Sequence, residues 1–430
     1  MGVQNPNSTN YVHPNEPNIL NLHKAMEYNA LGQPIIRTVV GGGIGGIDAF
    51  GRTQVAEPYT LFDSQHRYTE NDKFYTTLTG SGSKTHDANA SLVNMIVTGS
   101  SGDKVVRETD RVFTYQPGKA LEIFNTFTMA SGATGLRQRV GYFSTTNGVF
   151  LEQNDDELYL VLRSYSSGSL TEERIAQDDW NTDTLDGNGK TGITLDITKS
   201  QILFIDIEWL GVGTVRAGFV IDGAFVIAHK FHHANSITGT YMTTATLPIR
   251  YEIENTGATG VSSTLKHICN TVISSGGFTP TGRSQTVGRG LTYYNLSTAG
   301  TFYHLVSIKL KSDRLDDVVI PTDLNIMTDS NQNLQFKLVK NATFGTTLTF
   351  TPDSSVDHSI TDSSVTDQGT VLLSGYIVNK GEARGFNLEE LRRYQLTRTS
   401  TADVYSVIVT ADNNNTSATG NISWMEPLRG

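Results

Sequence analysis

The sequence predicts an all-β protein, with a jelly-roll-like antiparallel β-sandwich as its body, an extended N-terminal arm and a smaller C-terminal β-domain. Short runs of alternating apolar and polar residues recur about every 8–12 residues, which is the rhythm of sandwich and barrel strands. Turn residues separate these runs, and the chain contains 41 glycines. Residues 200–257 form the clearest series and predict four consecutive strands of a meander with one buried face.

Composition narrows the class of protein. A chain of 430 residues predicts two or three domains. Its 33 basic and 43 acidic residues give a net charge of −10, which disfavours general nucleic-acid binding because phosphate contacts need a basic surface. No apolar stretch approaches the roughly 18 residues of a membrane span. The polar first residues do not suggest a signal peptide. We therefore expect no membrane insertion.

Cys269 is the single cysteine, so no internal disulfide and no cysteine metal cluster can form. Its apolar neighbours predict a buried core thiol. A large β protein without disulfides is typical of a reducing cytosol. Its stability must then come from core area or from assembly with other subunits.

We predict an arm and clamp over residues 1–70, a large sandwich over 71–275, a glycine-rich linker over 276–290 and a small β-domain over 291–430. The arm is polar and rich in asparagine and proline, and residues 18–31 predict one short helix. The GGGIGG run at 41–46 is interpreted as a flexible joint, because no Lys-Ser/Thr follows it as in a phosphate-binding loop. Arm residues expected to contact partner subunits are Asn18, Ile19, Leu22 and Met26.

Aromatic anchors are dense in the segment 48–68, DAFGRTQVAEPYTLFDSQHRY. Their spacing matches neither a clean helix nor a clean strand. This predicts an ordered but irregular clamp. The residues expected to make its contacts are Phe50, Arg52, Tyr59 and Phe62.

Turn residues indicate where the strands of the large sandwich begin and end. Pro117-Gly118 occupies the two central positions of a type II turn. Asp222-Gly223 is the strongest hairpin signal, because a type I′ turn requires positive φ and glycine adopts it without strain. Residues 264–275 predict a closing strand or a short helix.

The strand FIDIEW at 204–209 places Asp206 and Glu208 on one face, about 6.6 Å apart along the strand. Paired carboxylates on a sheet face are used by glycoside hydrolases. The strand resembles the Glu-x-Asp-x-Glu strand of laminarinase-type glycosidases, with Glu208 at the acid/base position and Asp206 as its helper. Phe204 stands where that pattern has its nucleophile. The favoured interpretation is a solvated or hydrogen-bonded strand face.

A histidine run, His229, His232 and His233, invites a metal interpretation. Zinc needs three or four converging ligands, and no acidic or cysteine partner stands at a suitable spacing. We therefore expect these histidines to face a partner subunit. Asp186-Gly187-Asn188-Gly189 resembles part of a calcium loop but lacks its full acidic series, which favours a tight turn. No cofactor, metal or catalytic site is predicted.

Several long sequence segments together resemble a family of tailed-bacteriophage virion structural proteins. They are the segment 48–68, FTYQPGKALEIFNTFTM, LRQRVGYFSTTNGVFLEQ, DTLDGNGKTGITLDITKSQILFIDIEWLGVGTVRAGFVIDG and LPIRYEIENTG. The similarity covers residues 48–310. It implies a non-enzymatic virion component, assembled in the bacterial host's cytoplasm, whose partners are other copies of itself and other virion proteins.

The leading hypothesis is a tail, baseplate or tail-fibre protein assembled through its arm into a homo-oligomer. A capsid decoration or head fibre is an alternative. A third hypothesis is a jelly roll that binds, or less readily hydrolyses, host surface glycans with Asp206 and Glu208. Aromatic side chains on their face of the sheet would favour sugar binding.

Overall fold

The computed structural model describes residues 57–427, apart from 280, 379–382 and 388–394. Before residue 57 it describes the strands at 26–28 and 34–36. For these two strands and for 383–387 only the backbone is described. It separates into a unit of residues 1–57 and a unit of residues 58–430. In the first unit, β1 (Met26–Tyr28) and β2 (Pro34–Ile36) form an antiparallel hairpin. The helix expected over 18–31 is therefore wrong at β1, where the backbone pairs with a neighbouring strand.

An eight-stranded antiparallel sheet forms one layer of the larger unit. Its order is β15-β14-β13-β8-β17-β6-β5, and β3 adds to β17 beyond the end of β6. The strands are β3 (Pro58–Ser64), β5 (Ser83–Asp87), β6 (Leu92–Val97), β8 (Ala120–Thr128), β13 (Gln201–Ile207), β14 (Val215–Ile221), β15 (Ala224–Phe231) and β17 (Ser263–Ser275).

A seven-stranded antiparallel sheet forms the facing layer, in the order β12-β11-β10-β9-β16-β7-β4. Its strands are β4 (Phe74–Thr79), β7 (Lys104–Thr109), β9 (Leu136–Phe143), β10 (Gly148–Asn154), β11 (Glu157–Ser164), β12 (Thr171–Ala176) and β16 (Ile249–Asn255), with a short 3-10 helix at Gln177–Asp179 after β12. One large hydrophobic core lies between the two sheets.

The all-β, antiparallel fold class is confirmed. Strands β13, β14 and β15 form the predicted meander, and Asp222 and Gly223 make its hairpin turn with φ of 51° and 77°. The fourth strand of the series, β16, departs from the prediction because it pairs with β9 and β7 in the other sheet.

Two segments that we expected to be irregular contain regular strands. Residues of the clamp form the regular strand β3, which pairs with β17 and points Phe62 into the core. In the expected linker, β18 (Arg283–Gly288) pairs with β30 (Thr416–Glu426), and Val287 packs on a second core. Both strands form because a longer neighbour leaves an open edge beside them.

The second core is built by the remaining strands, which form a five-stranded sheet, a six-stranded sheet and a two-stranded ladder. They are β19 (Tyr294–Leu296), β20 (Tyr303–Leu310), β21 (Ile320–Thr328), β22 (Leu334–Lys340), β23 (Thr343–Phe344), β24 (Thr351–Pro352), β25 (Val356–Ser359), β26 (Val365–Asp367), β27 (Thr370–Ile377), β28 (Ala383–Asn387) and β29 (Tyr405–Ala411), besides β18 and β30.

The two cores meet through a small apolar cluster in which Val112 packs with Val318, Ile320 and Met425. Gln395 donates a side-chain hydrogen bond to the carbonyl of Val112 at 3.1 Å. Apolar and polar contacts thus join the two sandwiches. Within the described residues, no helix has the length and apolar character needed to cross a membrane.

Candidate functional site

Strand β13 places Asp206 on the outer face of the eight-stranded sheet. Its neighbours Ile205 and Ile207 point into the core and are fully buried, so the intervening residue must point away from the core. On that outer face Asp206 lies opposite Arg216 of β14 on one side and Glu122 of β8 on the other. Glu208 continues the same face just beyond the strand. The predicted sharing of one face by Asp206 and Glu208 agrees with this register.

Asp206 and Arg216 form an ion pair. The Arg216 Nε donates to Asp206 Oδ2 at 2.7 Å, and one terminal nitrogen donates to the same oxygen. Burial raises the pKa of Asp206, the Arg216 charge opposes this, and nearby Glu122 and Glu208 raise it further, so the pKa is raised overall. The Arg216 side chain is 52% exposed, so the pair presents a fixed guanidinium to solvent.

A cleft of about 460 Å³ opens over this pair. Two loops form its walls: one contributes Tyr115 and Lys119, and the other contributes Leu210 and Thr214. The loops are tied together, because the Leu210 backbone N–H donates to the Tyr115 hydroxyl at 3.2 Å. Lys119 is held by Gln116 Oε1 at 2.9 Å and by the carbonyl of Gly277 at 3.1 Å. The cleft therefore combines fixed charges with a hydroxyl-bearing wall.

Tyr241 lies behind the cleft and carries an unsatisfied polar atom. Its side chain is 5% exposed, and its hydroxyl has no hydrogen-bond partner among the described residues. The Tyr241 backbone N–H donates to the carbonyl of Gly211 at 2.9 Å, next to Leu210 in one of the cleft loops, and burial raises the pKa of the Tyr241 hydroxyl. A buried polar group without a partner is costly and often marks a place where a water or ligand binds.

Apolar side chains continue the same outer face next to the cleft. Phe204 of β13 lies directly opposite Phe124 of β8, and Phe225 of β15 packs edge-on against both, with ring centroids 5.2 Å and 6.0 Å away. Phe225 is 61% exposed and Ile202 is 37% exposed. We call this surface the apolar belt; it consists of Phe124, Ile202, Phe204, Val220, Phe225 and Ile227.

The outer face of the seven-stranded sheet provides an internal contrast. It also carries aromatic rings, but Phe143 and Phe150 are fully buried. Arg163 lies 4.9 Å from the Phe150 ring centroid, and Arg250 lies 5.6 Å from that of Phe143. Guanidinium groups thus cover the rings on that face, whereas Phe225 remains uncovered on the other. An uncovered aromatic beside a polar cleft is typical of a binding surface.

The histidines do not converge. His229 is buried and its Nδ1 accepts the Asn181 backbone N–H at 3.2 Å; burial and the nearby His232 lower the pKa of His229 to about 4. His233 donates from Nδ1 to the carbonyl of Gly213 at 2.7 Å and stacks on Tyr241. His232 alone is exposed. The part of the chain that the structure describes contains no group of three His, Cys, Asp or Glu side chains placed to hold a metal.

Several predicted contact residues fall in different places. Asn18, Ile19, Leu22, Phe50 and Arg52 lie outside the described residues, and Met26 belongs to β1, whose side chains are not described.

Phe62, expected to contact a partner, is 4% exposed and packs on Phe74 and Phe113, so it contributes to the chain's own core. Tyr59 is 39% exposed and packs 6.0 Å from Phe278. Cys269, expected in the core, is half-buried, because it pairs with Thr126 on the sheet face turned away from the core.

Asp186 is engaged in a tight turn. It accepts hydrogen bonds from the Asn188 backbone N–H at 2.8 Å and from the Thr184 hydroxyl at 2.6 Å, which lower its pKa to about 2. These bonds use the carboxylate that a calcium loop would direct to the ion.

Sequence reasoning did not find Arg216, Lys119, Phe124 or Phe225 as members of the site. A usable signal existed for Phe225, because the Asp222-Gly223 turn fixes the register of β14 and β15 and so places this ring on the outer face. The partnership of β13 with β8 has no local signal, since about 80 residues separate the two strands.

No family model matches this chain, and no curated protein matches it. Solved structures show distant similarity. A β-glucanase of Bacillus licheniformis has 11% identity and a TM-score of 0.31, covering 52% of this chain and 99% of that chain. The CBM2 module of the evolved Dit protein of Lactobacillus casei phage J-1 has 6% identity and a TM-score of 0.32, covering 52% and 97%.

Arcelin-5, a lectin-like defence protein of Phaseolus vulgaris, has 12% identity and a TM-score of 0.31, covering 51% of this chain and 98% of that chain. With TM-scores near 0.3, the function must be inferred from the site itself.

Proposed function

We propose that this protein binds carbohydrate through the outer face of its eight-stranded sheet, as a non-enzymatic component of a phage virion. One observation carries the binding proposal: the apolar belt, with Phe225 61% exposed, directly adjoins a cleft that contains a fixed carboxylate–guanidinium pair. A sugar ring has an apolar face that can pack on an aromatic ring and hydroxyl groups that bond to charged partners. The belt and the cleft offer both kinds of contact.

The spacing of the two surfaces suits a short oligosaccharide. The exposed ring of Phe225 lies opposite Val220, four residues from Arg216 on β14, which corresponds to about 13 Å along the strand. An oligosaccharide with one ring packed on Phe225 would direct hydroxyls of a neighbouring ring toward the Asp206–Arg216 pair and Thr214. Because Arg216 holds Asp206 in place, the site needs little rearrangement on binding.

Binding without hydrolysis is favoured by the residues of β13. Retaining hydrolysis requires a carboxylate nucleophile about 5–5.5 Å from the acid. Phe204 stands at the position expected for the nucleophile, and it is 6% exposed among other aromatic rings. Asp206, the nearest carboxylate on the strand, is occupied by two donors from Arg216. The face therefore offers recognition groups rather than an acid and nucleophile pair.

The binding test compares two exposed aromatic residues. We expect Phe225→Ala to weaken glycan binding at least tenfold, about 1.4 kcal/mol, because the ring supplies the stacking surface. Tyr376→Ala is the matched control: Tyr376 is 59% exposed on the C-terminal sandwich and should not affect binding. A broad glycan array would identify a ligand, and calorimetry would measure both variants. Equal affinity of Phe225→Ala and wild type, or no ligand on the array, would refute the proposal.

The virion location is supported by the long sequence segments that resemble phage structural proteins. We propose a tail, baseplate or fibre protein, with a capsid decoration or head fibre as the alternative. In either place the glycan would belong to the host surface, and the other partners would be copies of this chain and other virion proteins.

Assembly through residues 1–47 is the testable part of that proposal. Light scattering of the purified full chain should show one discrete oligomer, and removal of residues 1–47 should convert it to monomer, because the arm would supply area buried only between subunits. An oligomeric state unchanged by the truncation would contradict an assembly role for the arm.

A further inference from the structure

Two positively charged side chains, Arg216 and Lys230, lie next to each other at one side of the proposed glycan site. On the outer face Arg216 of β14 lies directly opposite Lys230 of β15. His232 follows two residues later and is exposed, with its Nδ1 3.4 Å from the Thr214 hydroxyl. Thr214 and Arg216 also line the cleft. We call Arg216, Lys230, His232 and Thr214 the cationic corner.

The cationic corner is poorly neutralised. Among the described residues, Asp206 is the only carboxylate paired with Arg216, and neither Lys230 nor His232 has a carboxylate within ion-pair distance. Like charges directly opposite each other on neighbouring strands are destabilising. This chain has the destabilising Arg216–Lys230 pair although an acidic residue beside Lys230 would neutralise it.

The other outer face shows how this chain treats cations that serve structure. There Arg139 is paired with Glu152 and Glu252, and Arg250 with Glu108 and Glu252. Lys104, although 31% exposed, contacts both Glu252 and Glu254. Cations on that face have carboxylate partners in place, so the lack of one at Lys230 points to a partner that comes from outside.

Charge is also ordered across the sheet. One row of the outer face runs Lys230, Arg216, Asp206, Glu122 from β15 to β8. Positive charge lies at the β15 end and negative charge at the β8 end, where the Ser275 hydroxyl donates to Glu122 at 2.8 Å. An anionic group is therefore attracted to the β15 end of the row and repelled from the β8 end, and it is also repelled from Glu208, which lines the cleft opposite Thr214. A ligand bound across this row has a single favoured direction.

We infer that the glycan bound by this face carries an anionic substituent, a carboxylate, sulfate or phosphate, which lies between Arg216 and Lys230 while another sugar ring of the same glycan packs on Phe225 of the apolar belt. The inference rests on the proposed glycan-binding function. Arg216 suits this task because Asp206 fixes its orientation and its remaining N–H groups are left to donate to an oxyanion. Lys230 adds a second positive charge, and Thr214 a hydroxyl.

The test uses the full chain and pairs of oligosaccharides that differ only in whether they carry the acidic group. We expect the acidic member of a pair to bind about tenfold more tightly, and added salt to reduce that advantage. Lys230→Gln should remove most of the difference while leaving the neutral member's affinity unchanged. Lys190→Gln, at an exposed lysine in the turn after Asp186, is the matched control and should change neither affinity.

The outcomes separate the inference from the function on which it rests. Equal binding of acidic and neutral members would overturn the inference and leave glycan binding standing. Loss of both members' binding in Lys230→Gln, with an unchanged unfolding curve, would also overturn it, because Lys230 would then contact the sugar itself. If neither member of any pair binds wild-type protein, the proposed function fails and the inference fails with it.

Discussion

Glu252→Gln is expected to lower the free energy of unfolding by about 3–5 kcal/mol, because it leaves buried cations without their shared carboxylate. Glu252 is 2% exposed on the outer face of the seven-stranded sheet. It accepts from Arg250 at 3.0 Å, from Lys104 at 2.7 Å and from Arg139 at 3.3 Å. Burial alone would raise the pKa of Glu252, but these three charges outweigh burial and lower it to about 2.

Chemical denaturation of wild type and variant at neutral pH measures this loss. Glu173→Gln is the control, since Glu173 is exposed on the edge strand β12 of the same sheet and should change stability by less than about 0.5 kcal/mol. Because the pKa of Glu252 is lowered on folding, its contribution is present above its unfolded pKa of 4.5 and declines as the pH falls toward about 2. Similar losses in both variants would show that the ion pairs of Glu252 contribute little.

The protein is expected to lose stability as the pH falls from about 6.5 toward 4, because several imidazoles are buried in the neutral form. His66, His267 and His304 are all fully buried. Burial lowers the pKa of His66 to about 4, assisted by the Arg107 charge, and lowers that of His304 to about 4. Burial also holds the pKa of His267 well below its usual value.

The hydrogen bonds of two of these imidazoles explain the direction. His66 Nδ1 accepts the Asn71 backbone N–H at 3.0 Å, and His267 Nδ1 accepts from Arg107 Nε at 3.2 Å. A proton on either nitrogen would break its bond. As the pH falls, the imidazoles of the unfolded chain therefore bind protons first, near their ordinary pKa of 6.5. The same imidazoles in the folded protein bind protons only near or below pH 4.

We expect each imidazole to remove about 1–2 kcal/mol of stability between pH 7 and about pH 5. Urea denaturation across this range measures the slope of the unfolding free energy against pH. His304→Asn should reduce that slope by up to about 1.4 kcal/mol per pH unit, which corresponds to one proton. A stability independent of pH over this range would contradict the prediction.

Local patterns in the sequence predicted local structure well. The alternation of β13 and the Asp222-Gly223 turn were sufficient to predict a hairpin, its turn type and the face that Asp206 occupies. These features depend on neighbouring residues only, because turn geometry and strand period fix which side chains share a face.

Features that depend on distant strands were missed. The alternation of β16 predicts a strand but not the sheet to which it belongs, and β16 pairs with β9 rather than with β15. The prediction buried only one face of this strand series, yet the outward Arg250 and Glu252 are buried too, because acids and bases from neighbouring strands cover one another. The cleft was predictable only in part for the same reason: Asp206 and Arg216 are close in sequence, whereas Lys119 and Ala120 come from the start of β8 and its preceding turn.

The pairing of β3 with β17 has a mechanical consequence. The chain enters β3 at Pro58 and leaves β17 at Ser275, and these two residues are opposite each other at one end of the ladder. Tension between the chain before Pro58 and the chain after Ser275 therefore acts at that end and opens the ladder one rung at a time, instead of shearing all its hydrogen bonds together. Under load β3 would peel away at low force, and the longer ladder between β17 and β8 would remain to hold the sheet.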